Sequence, residues 1–221
     1  MNQPADIEWR DGKVPVSTRF DDPYYSLDNG LAETQHVFLA GNDLPTRFTG
    51  DFHIAELGFG TGLNLLTTML HWPGNGQLTF TSFEAFPLQK AEAEKALAHF
   101  QAVQGPAQKL LDVWDQIGAG PVPLTDTVTL NVIKGDARDT VARWSGQADA
   151  WFLDGFSPAK NPELWGADLM SEIAKHTASG GTVATYTAAG HVRRALETAG
   201  FDVVRVPGFG RKRHMTTAQL K

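Results

Sequence analysis

Cysteine is missing from this 221-residue chain. Disulfides, thiolate metal sites and cysteine nucleophiles are therefore excluded. Long apolar runs are missing as well, because no stretch of about 18 residues is apolar enough to predict a membrane-spanning helix. The N-terminus, MNQPADIEWRDGK, lacks the basic start and the apolar stretch of a secretory signal. We therefore expect a cytoplasmic protein that does not contact a membrane.

Positive charge is scarce overall, since the formal net charge is −6. Such a value is not typical of a nucleic-acid-binding protein. The charge is unevenly distributed, however. Residues 190–221 carry seven Lys and Arg against two acids, a balance of +5 that leaves −11 on the first 189 residues. This basic segment is either a solvated surface or a face that docks a phosphate backbone.

Apolar runs and helical patterns alternate from residue 52 onward, which predicts an α/β fold with a doubly wound, mostly parallel seven-stranded sheet. Residues 1–50 are expected to form an N-terminal extension that packs on the core, and residues 51–221 the main domain. The extension is predicted to contain extended pieces near 7–10 and 14–16 and a helix around 28–39. The predicted strands lie at 52–57, 78–84, 127–134, 149–154, 180–187, 202–206 and 214–220. The predicted helices lie at 62–71, 87–101, 138–144, 163–177 and 188–199.

A glycine-rich turn follows the first of these strands in the sequence FHIAELGFGTGLNLL, residues 52–66. Gly58, Gly60 and Gly62 allow the backbone to pass close to a ligand. A dinucleotide-binding fingerprint would need glycine at position 63, which is leucine. Glu56, just before the turn, suits a ligand with positive charge and would repel a pyrophosphate. The pattern E-x-G-x-G-x-G resembles the first motif of class I (Rossmann-like) methyltransferases.

Acidic residues also end the next two strands, where ligands of such sheets bind. Glu84 lies 28 residues after Glu56, close to the offset of an acid that hydrogen-bonds ribose hydroxyls. Asp136 follows the third strand and could accept a hydrogen bond from an adenine amino group, while Ala137 offers its backbone N–H to the ring. Asp136 could equally cap the helix that follows, and the two roles are compatible.

A very apolar strand and a rigid loop make up the sequence DAWFLDGFSPAKNPELW, residues 149–165. Asp154 ends the strand, and we expect it at the mouth of the pocket, facing the reacting groups. Phe156 either stacks on a flat base, as aromatic side chains do in nucleic-acid binding, or packs in the core.

These motifs, together with GFGRKRHM at residues 208–215, resemble the methyltransferase domain of the bifunctional tRNA 5-methylaminomethyl-2-thiouridine biosynthesis proteins, the MnmC family. The segment from Pro15 to Leu39 agrees with the family too. The long form of the family continues into a flavin-dependent oxidase domain. The chain has no dinucleotide fingerprint that would belong to such an oxidase domain. It therefore resembles a stand-alone methyltransferase that needs no FAD.

The resemblance implies transfer of a methyl group from S-adenosylmethionine to the primary amine of 5-aminomethyl-2-thiouridine at the wobble position of tRNA, with S-adenosylhomocysteine as the second product. An alkyl amine acceptor needs no cysteine to activate a ring carbon. The implied partners are the anticodon stem-loop and, as a source of substrate, a separate FAD-dependent oxidase or upstream wobble-uridine enzymes. No metal is expected.

The resemblance also implies roles for individual residues. Asp154 is expected to be catalytic, accepting a hydrogen bond from the amine and receiving its proton directly or through water. The expected cofactor-binding residues are Glu56, Gly58, Phe59, Gly60, Gly62, Asn64, Glu84, Asp136 and Ala137. The expected substrate-binding residues are Tyr24, Ser26, Glu33, Phe156, Ser157, Lys160, Arg193, Arg211, Lys212 and Arg213, with Arg194 a further candidate for phosphate contact.

Two other functions fit parts of the sequence. One is a methyltransferase or aminopropyltransferase acting on a free small-molecule amine, which would turn over without tRNA. The other is a non-catalytic RNA-binding module with a degenerate nucleotide pocket, which would bind no cofactor. The complete set of acids and glycines at the strand ends argues against the second.

Overall fold

The structure, a computed structural model, describes residues 4–26 and 29–221. These residues form a small N-terminal sheet, a large mixed sheet and flanking helices. The strands of the small sheet are β1 (Ile7–Arg10), β2 (Val14–Ser17) and β3 (Asp22–Pro23). Those of the large sheet are β4 (Phe52–Leu57), β5 (Leu78–Glu84), β6 (Val122–Thr125), β7 (Val128–Lys134), β8 (Ala148–Leu153), β9 (Thr177–Thr185), β10 (Phe201–Pro207) and β11 (His214–Leu220). The α-helices are α1 (Gly30–Thr34), α2 (Leu63–His71), α3 (Lys90–Leu97), α4 (Gln104–Asp112), α5 (Ala137–Arg143), α6 (Ala167–Lys175) and α7 (Gly190–Thr198).

The large sheet has the strand order β10-β11-β9-β8-β4-β5-β7-β6. Its five central strands, β9, β8, β4, β5 and β7, are parallel, so their carboxyl ends meet at one edge. β11 is antiparallel to β9, and β10 is antiparallel to β11. The loop from β10 to β11 therefore lies at the same edge as the loops that follow the parallel strands. The predicted α/β class and mostly parallel sheet are confirmed.

All seven predicted strands are present, but the sheet has an eighth, β6, that the prediction lacks. β6 pairs antiparallel with β7 at the edge of the sheet. It is four residues long and contains Pro123, which argues against a strand in the interior of a sheet but is tolerated at an edge. Only the buried Val122 and Leu124, on either side of the exposed Pro123, carry a strand pattern.

The single helix predicted over 87–101 is wrong in extent. α3 ends at Leu97, a short 3-10 turn covers Gln101–Val103, and a separate helix, α4, follows. The Gly105-Pro106 pair is unfavourable in the interior of a helix, which masks α4 in the sequence. Pro106 lies in its first turn, where a backbone N–H is not needed.

Two other predicted helices are also modified. The one near 28–39 is α1 followed by a π-helical segment, Gln35–Leu39, and its first predicted residue lies outside the described residues. The one over 163–177 is a 3-10 turn, Pro162–Trp165, followed by α6.

The core lies on both faces of the large sheet. Along β8, Ala150 and Phe152 face one layer of packed side chains, while Trp151 and Leu153 face the other. All four are fully buried, as the apolar run at 149–154 predicts for a strand covered on both sides. Among residues 4–26 and 29–221, no helix combines the length and the apolar character needed to cross a membrane.

Truncation of a core aromatic residue tests this packing. Phe80 is fully buried, and its ring lies 5.9 Å from that of Phe152. Phe80→Ala should lower the free energy of unfolding by about 3–5 kcal/mol, measured by urea denaturation, because it removes apolar contacts and leaves a cavity. The control Val204→Thr alters a side chain on a residue that is 55% exposed and should change stability by less than about 0.5 kcal/mol. Equal effects of the two variants would contradict the packing described.

Candidate functional site

A cavity of about 1080 Å³ opens at the carboxyl edge of the parallel strands. The glycine-rich turn after β4 and the loops after β5, β7 and β8 line one part of it. The N-terminal segment and the loop between β10 and β11 line the rest. Of the residues predicted from the sequence, those on the cavity wall are Gly58, Phe59, Gly60, Asn64, Glu84, Asp136, Ala137, Asp154, Tyr24, Ser26, Glu33, Phe156, Ser157, Arg211 and Lys212.

The glycine-rich turn needs its glycines for two reasons. Gly58, Gly60 and Gly62 have φ angles of 83°, 51° and 79°, in the left-handed region that side chains disfavour. A Cβ atom on Gly60 would also lie 3.0 Å from the ring of Tyr24, and one on Gly62 would lie 2.7 Å from Leu110. The backbone of the turn is therefore packed closely on both sides.

Glu84 connects the turn to the end of β5. One carboxylate oxygen accepts a hydrogen bond from the backbone N–H of Gly60 at 3.0 Å, and the other accepts from Phe86 at 2.6 Å. Burial raises the pKa of the Glu84 carboxyl, while these backbone hydrogen bonds lower it. The backbone N–H groups of Phe59 and Ala85 also act on this carboxylate, so the turn after β4 and the loop after β5 hold it in place on the cavity wall.

Asn64, in the first turn of α2, links two buried carboxyl groups. Its amide nitrogen donates to Glu56 and to Asp154, each at 2.8 Å. Its amide oxygen accepts from the Thr34 hydroxyl at 2.7 Å, which fixes the orientation of the amide. Glu56 also accepts from the Ser82 hydroxyl at 2.7 Å. Glu56 and Asp154 are thus held side by side by a neutral group.

Asp154 ends β8 with its carboxyl group on the cavity wall. Burial raises the pKa of this carboxyl to about 6, against hydrogen bonds from Asn64 and Gly155 that lower it. Glu56 lies behind the wall and is 1% exposed. Burial raises its pKa well above the usual range, against hydrogen bonds from Ser82 and Asn64. Asp154 is therefore the member of the pair that is placed to exchange protons with a ligand near neutral pH.

Asp136 caps α5, accepting a hydrogen bond from the backbone N–H of Arg138 at 2.9 Å. Its carboxylate also binds the Arg138 guanidinium, with a closest approach of 2.6 Å, and this contact lowers the pKa of Asp136. Arg138 reaches Glu163 at 3.1 Å as well. The helix-capping role considered for Asp136 is present, and the carboxylate is shared with an arginine that the sequence analysis did not identify.

Phe156 packs on the N-terminal segment. Its ring stacks on Phe20 with centroids 4.7 Å apart and meets the edge of Tyr24 at 5.2 Å. The backbone N–H of Ser157 donates to Asp22 at 2.7 Å. The loop after β8 and the segment near β3 therefore close one end of the cavity together. Phe20 and Asp22 belong to the segment that agrees with the family, but the sequence analysis did not predict them as site residues.

The opposite wall carries an ion pair over an aromatic ring. The Lys212 ammonium lies 2.8 Å from a Glu33 carboxylate oxygen and 3.9 Å from the centroid of the Tyr186 ring. The Tyr186 hydroxyl donates to the carbonyl of Gly155 at 2.7 Å. Tyr186 was not predicted, although its position just after β9, at the carboxyl edge, is a signal that could have found it.

The remaining predicted residues lie off the cavity wall. Gly62 and Glu56 lie beneath it, and Lys160 pairs with Asp21 at 2.8 Å on the outside. Arg193 lies in the first turn of α7, with its Nε donating to Ala188. The exposed Arg213 follows Lys212, and Arg194 is exposed on α7.

Comparison with known proteins places the chain in a family. The family model described as S-adenosyl-L-methionine-dependent methyltransferase matches residues 101–221, and the chain belongs to this family. The relatives that it matches over almost its whole length are the tRNA 5-methylaminomethyl-2-thiouridine biosynthesis bifunctional proteins MnmC. The chain is 43% identical to that of Marinobacter nauticus over 99% of its length, and 44% identical to that of Caulobacter vibrioides over 97%. It spans 37% and 38% of the length of those two proteins.

A solved structure agrees with these relatives. The crystal structure of MNMC2 from Aquifex aeolicus matches with a TM-score of 0.78 and 27% identity, covering 99% of this chain and 71% of that one. The resemblance drawn from the sequence motifs is therefore confirmed.

Removal of the Asn64 amide tests the carboxylate network. Asn64→Ala should lower the free energy of unfolding by about 2–4 kcal/mol at pH 7.5, because the Glu56 and Asp154 carboxyl groups each lose a hydrogen-bond donor. The loss should be smaller at pH 5. The folded-state pKa of Asp154 is already raised, so the folded protein binds more protons than the unfolded chain and its stability falls as pH rises toward about 6. The variant raises these pKa values further and steepens that fall.

Urea denaturation at the two pH values measures this effect. The control Asn75→Ala removes an exposed amide with a single 3.4 Å contact and should show neither the loss nor its pH dependence. A pH-independent loss in Asn64→Ala would contradict the network.

Proposed function

We propose that this protein transfers a methyl group from S-adenosylmethionine to the primary amine of 5-aminomethyl-2-thiouridine at the wobble position of tRNA, giving 5-methylaminomethyl-2-thiouridine. The observation that carries the proposal is Asp154, a half-buried, titratable carboxyl on the wall of an acidic cavity, in a chain similar to the MnmC protein of Marinobacter nauticus over 99% of its length. The proposed site of action is the cytoplasm.

The cavity fits the proposed cofactor. When bound, S-adenosylmethionine supplies an electrophilic methyl group on a sulfonium ion. Acidic groups on the wall suit its positive charges, and the turn at Gly58, Phe59 and Gly60 contributes to the same wall. Glu84 would accept from the ribose hydroxyls, and Asp136 and Ala137 would bind the adenine ring. Asn64, on the wall, and Glu56 and Gly62, beneath it, would support these residues.

Asp154 would act on the acceptor amine. An alkyl ammonium loses its proton near pH 10 in water, so the enzyme must bind the neutral amine or remove a proton from it. An ionised Asp154 can accept a hydrogen bond from the amine, align its lone pair and take its proton, directly or through water. Asn64 and the Gly155 N–H hold the carboxylate in one orientation. Most of the acceleration would then come from positioning and electrostatics.

The remaining contacts would be made by the rim of the cavity. Residues 1–50 would cap the domain formed by 51–221, with Tyr24, Ser26 and Glu33 closing the pocket over the base. Phe156 and Ser157 would guide the flipped nucleotide, with Lys160 outside. Arg211 and Lys212, in the loop between β10 and β11, and Arg193, at the start of α7, lie on elements at the carboxyl edge. With Arg213 they would contact anticodon-loop phosphates.

Methyl transfer from labelled S-adenosylmethionine to tRNA carrying the aminomethyl wobble base tests the proposal. We expect label in the methylaminomethyl nucleoside. Asp154→Asn should reduce kcat by about 10²–10⁴, because it removes the proton acceptor, while the Kd for S-adenosylmethionine changes by less than about threefold. The control Asp202→Asn removes an exposed carboxylate paired with Lys221 and should leave turnover unchanged. Transfer to small amines but not to tRNA would reassign the substrate, and near-normal turnover in Asp154→Asn would remove Asp154 from the mechanism.

The pH profile of kcat/KM gives an independent check. Activity should fall as pH decreases through about 6, the pKa of Asp154, because the protonated carboxyl can no longer accept from the amine. The free amine, which loses its proton near about pH 10, contributes only a constant slope between about pH 5 and 8, so the Asp154 limb is read as a change of slope near pH 6. A profile without a change of slope there would show that no group with this pKa is needed in the ionised form.

A further inference from the structure

The geometry points to a primary-ammonium subsite formed by Glu33 and the Tyr186 ring, beside Asp154, in which the Lys212 ammonium lies. This inference rests on the proposed function for the identity of the acceptor, but not for the chemistry of the subsite. It assigns Tyr186 and Glu33 to recognition of the amine, and it makes Lys212 an internal competitor that the acceptor must displace.

The contacts of Lys212 show what the subsite binds. Its Nζ donates to Glu33 at 2.8 Å and lies 3.9 Å from the centroid of the Tyr186 ring. Its charge also acts on Asp154, where it favours the ionised carboxyl. A carboxylate, an aromatic face and a second carboxylate are the groups that recognise an alkyl ammonium. The side chain of lysine ends in the same –CH2–NH3⁺ group as a protonated aminomethyl substituent.

The walls of the subsite are held by the rest of the fold. Glu33 lies on α1 with its side chain 14% exposed, so an ammonium beside it is partly desolvated and strongly attracted. The hydroxyl of Tyr186 is fixed on the Gly155 carbonyl, next to Asp154. The Tyr186 ring therefore has Lys212 over its face, while its hydroxyl is bonded to the residue that follows the proposed proton acceptor.

The Lys212 side chain can move out of the subsite. It belongs to the loop between β10 and β11, and its side chain is 44% exposed. A lysine tethered near the subsite competes with a free ligand at a high effective concentration. Displacement would free its ammonium for the solvent side of the rim, where the neighbouring Arg211 and Arg213 lie. Entry of an amine and release of a cation toward a phosphate backbone would then be coupled.

Binding of matched nucleosides tests the inference without methyl transfer. We would measure the Kd of 5-aminomethyluridine and of 5-hydroxymethyluridine for the full chain saturated with S-adenosylhomocysteine, by calorimetry or NMR. Lys212→Met should bind the amine about tenfold more tightly than wild type, because the internal competitor is gone, and should bind the alcohol with little change. Lys212→Arg, which keeps a cation, should remain close to wild type. The control Lys175→Met removes an exposed lysine paired with Glu172 on α6 and should change neither Kd.

Double variants test whether Glu33 and Tyr186 form the subsite. Adding Glu33→Gln to Lys212→Met should bring the amine back to the affinity of the alcohol, and adding Tyr186→Leu should also weaken the amine selectively. The Kd of S-adenosylhomocysteine reports whether each variant is folded. Unchanged or weaker amine binding in Lys212→Met would overturn the inference, as would an equal effect of Glu33→Gln on both nucleosides. Selective amine binding without methyl transfer to tRNA would keep the subsite and reject the proposed function.

Discussion

Both hydrogens of the Asn64 side-chain amide are donated to carboxyl groups that the fold buries, one on Glu56 and one on Asp154. Two adjacent carboxylates in a low-dielectric interior repel each other and lose their hydration. A neutral donor whose orientation is fixed by Thr34 offsets part of that cost without adding charge. Glu56 lies next to the end of β4, Asn64 lies in the first turn of α2 and Asp154 directly follows β8, so this one amide links the elements that form the cavity.

The acidic groups on its wall make the cavity favourable for cations, which accounts for the ion pairs found there. Burial raises the pKa of the Glu84 and Asp154 carboxyl groups, to about 6 at Asp154, which is within reach of neutral pH. The same acidity requires internal cations: Arg138 neutralises Asp136, and Lys212 neutralises Glu33. A sulfonium cofactor and an amine acceptor would each enter a place where positive charge is already stabilised.

Much of the fold follows from local sequence. Strands buried on both faces, such as β8, have continuous apolar runs, and the turn at Gly58 needs φ angles that only glycine adopts easily. The helices were harder to predict where proline interrupts the apolar pattern, as at Pro106. The strand β6 was missed because it contains Pro123, which an edge strand tolerates. These errors concern short elements whose conformation is decided by pairing or by position in a helix rather than by periodicity.

The sequence by itself determined the α/β class, the glycine-rich turn and the acids at the strand ends, because each depends on neighbours within one strand and its loop. Only the tertiary structure decided what those acids contact. Asn64 and Asp154 are 90 positions apart, Ser157 and Asp22 are 135 apart, and Lys212 and Glu33 are 179 apart. Hydrogen bonds and ion pairs of this kind form only when the parallel strands bring their carboxyl ends to one edge, so no local pattern records them.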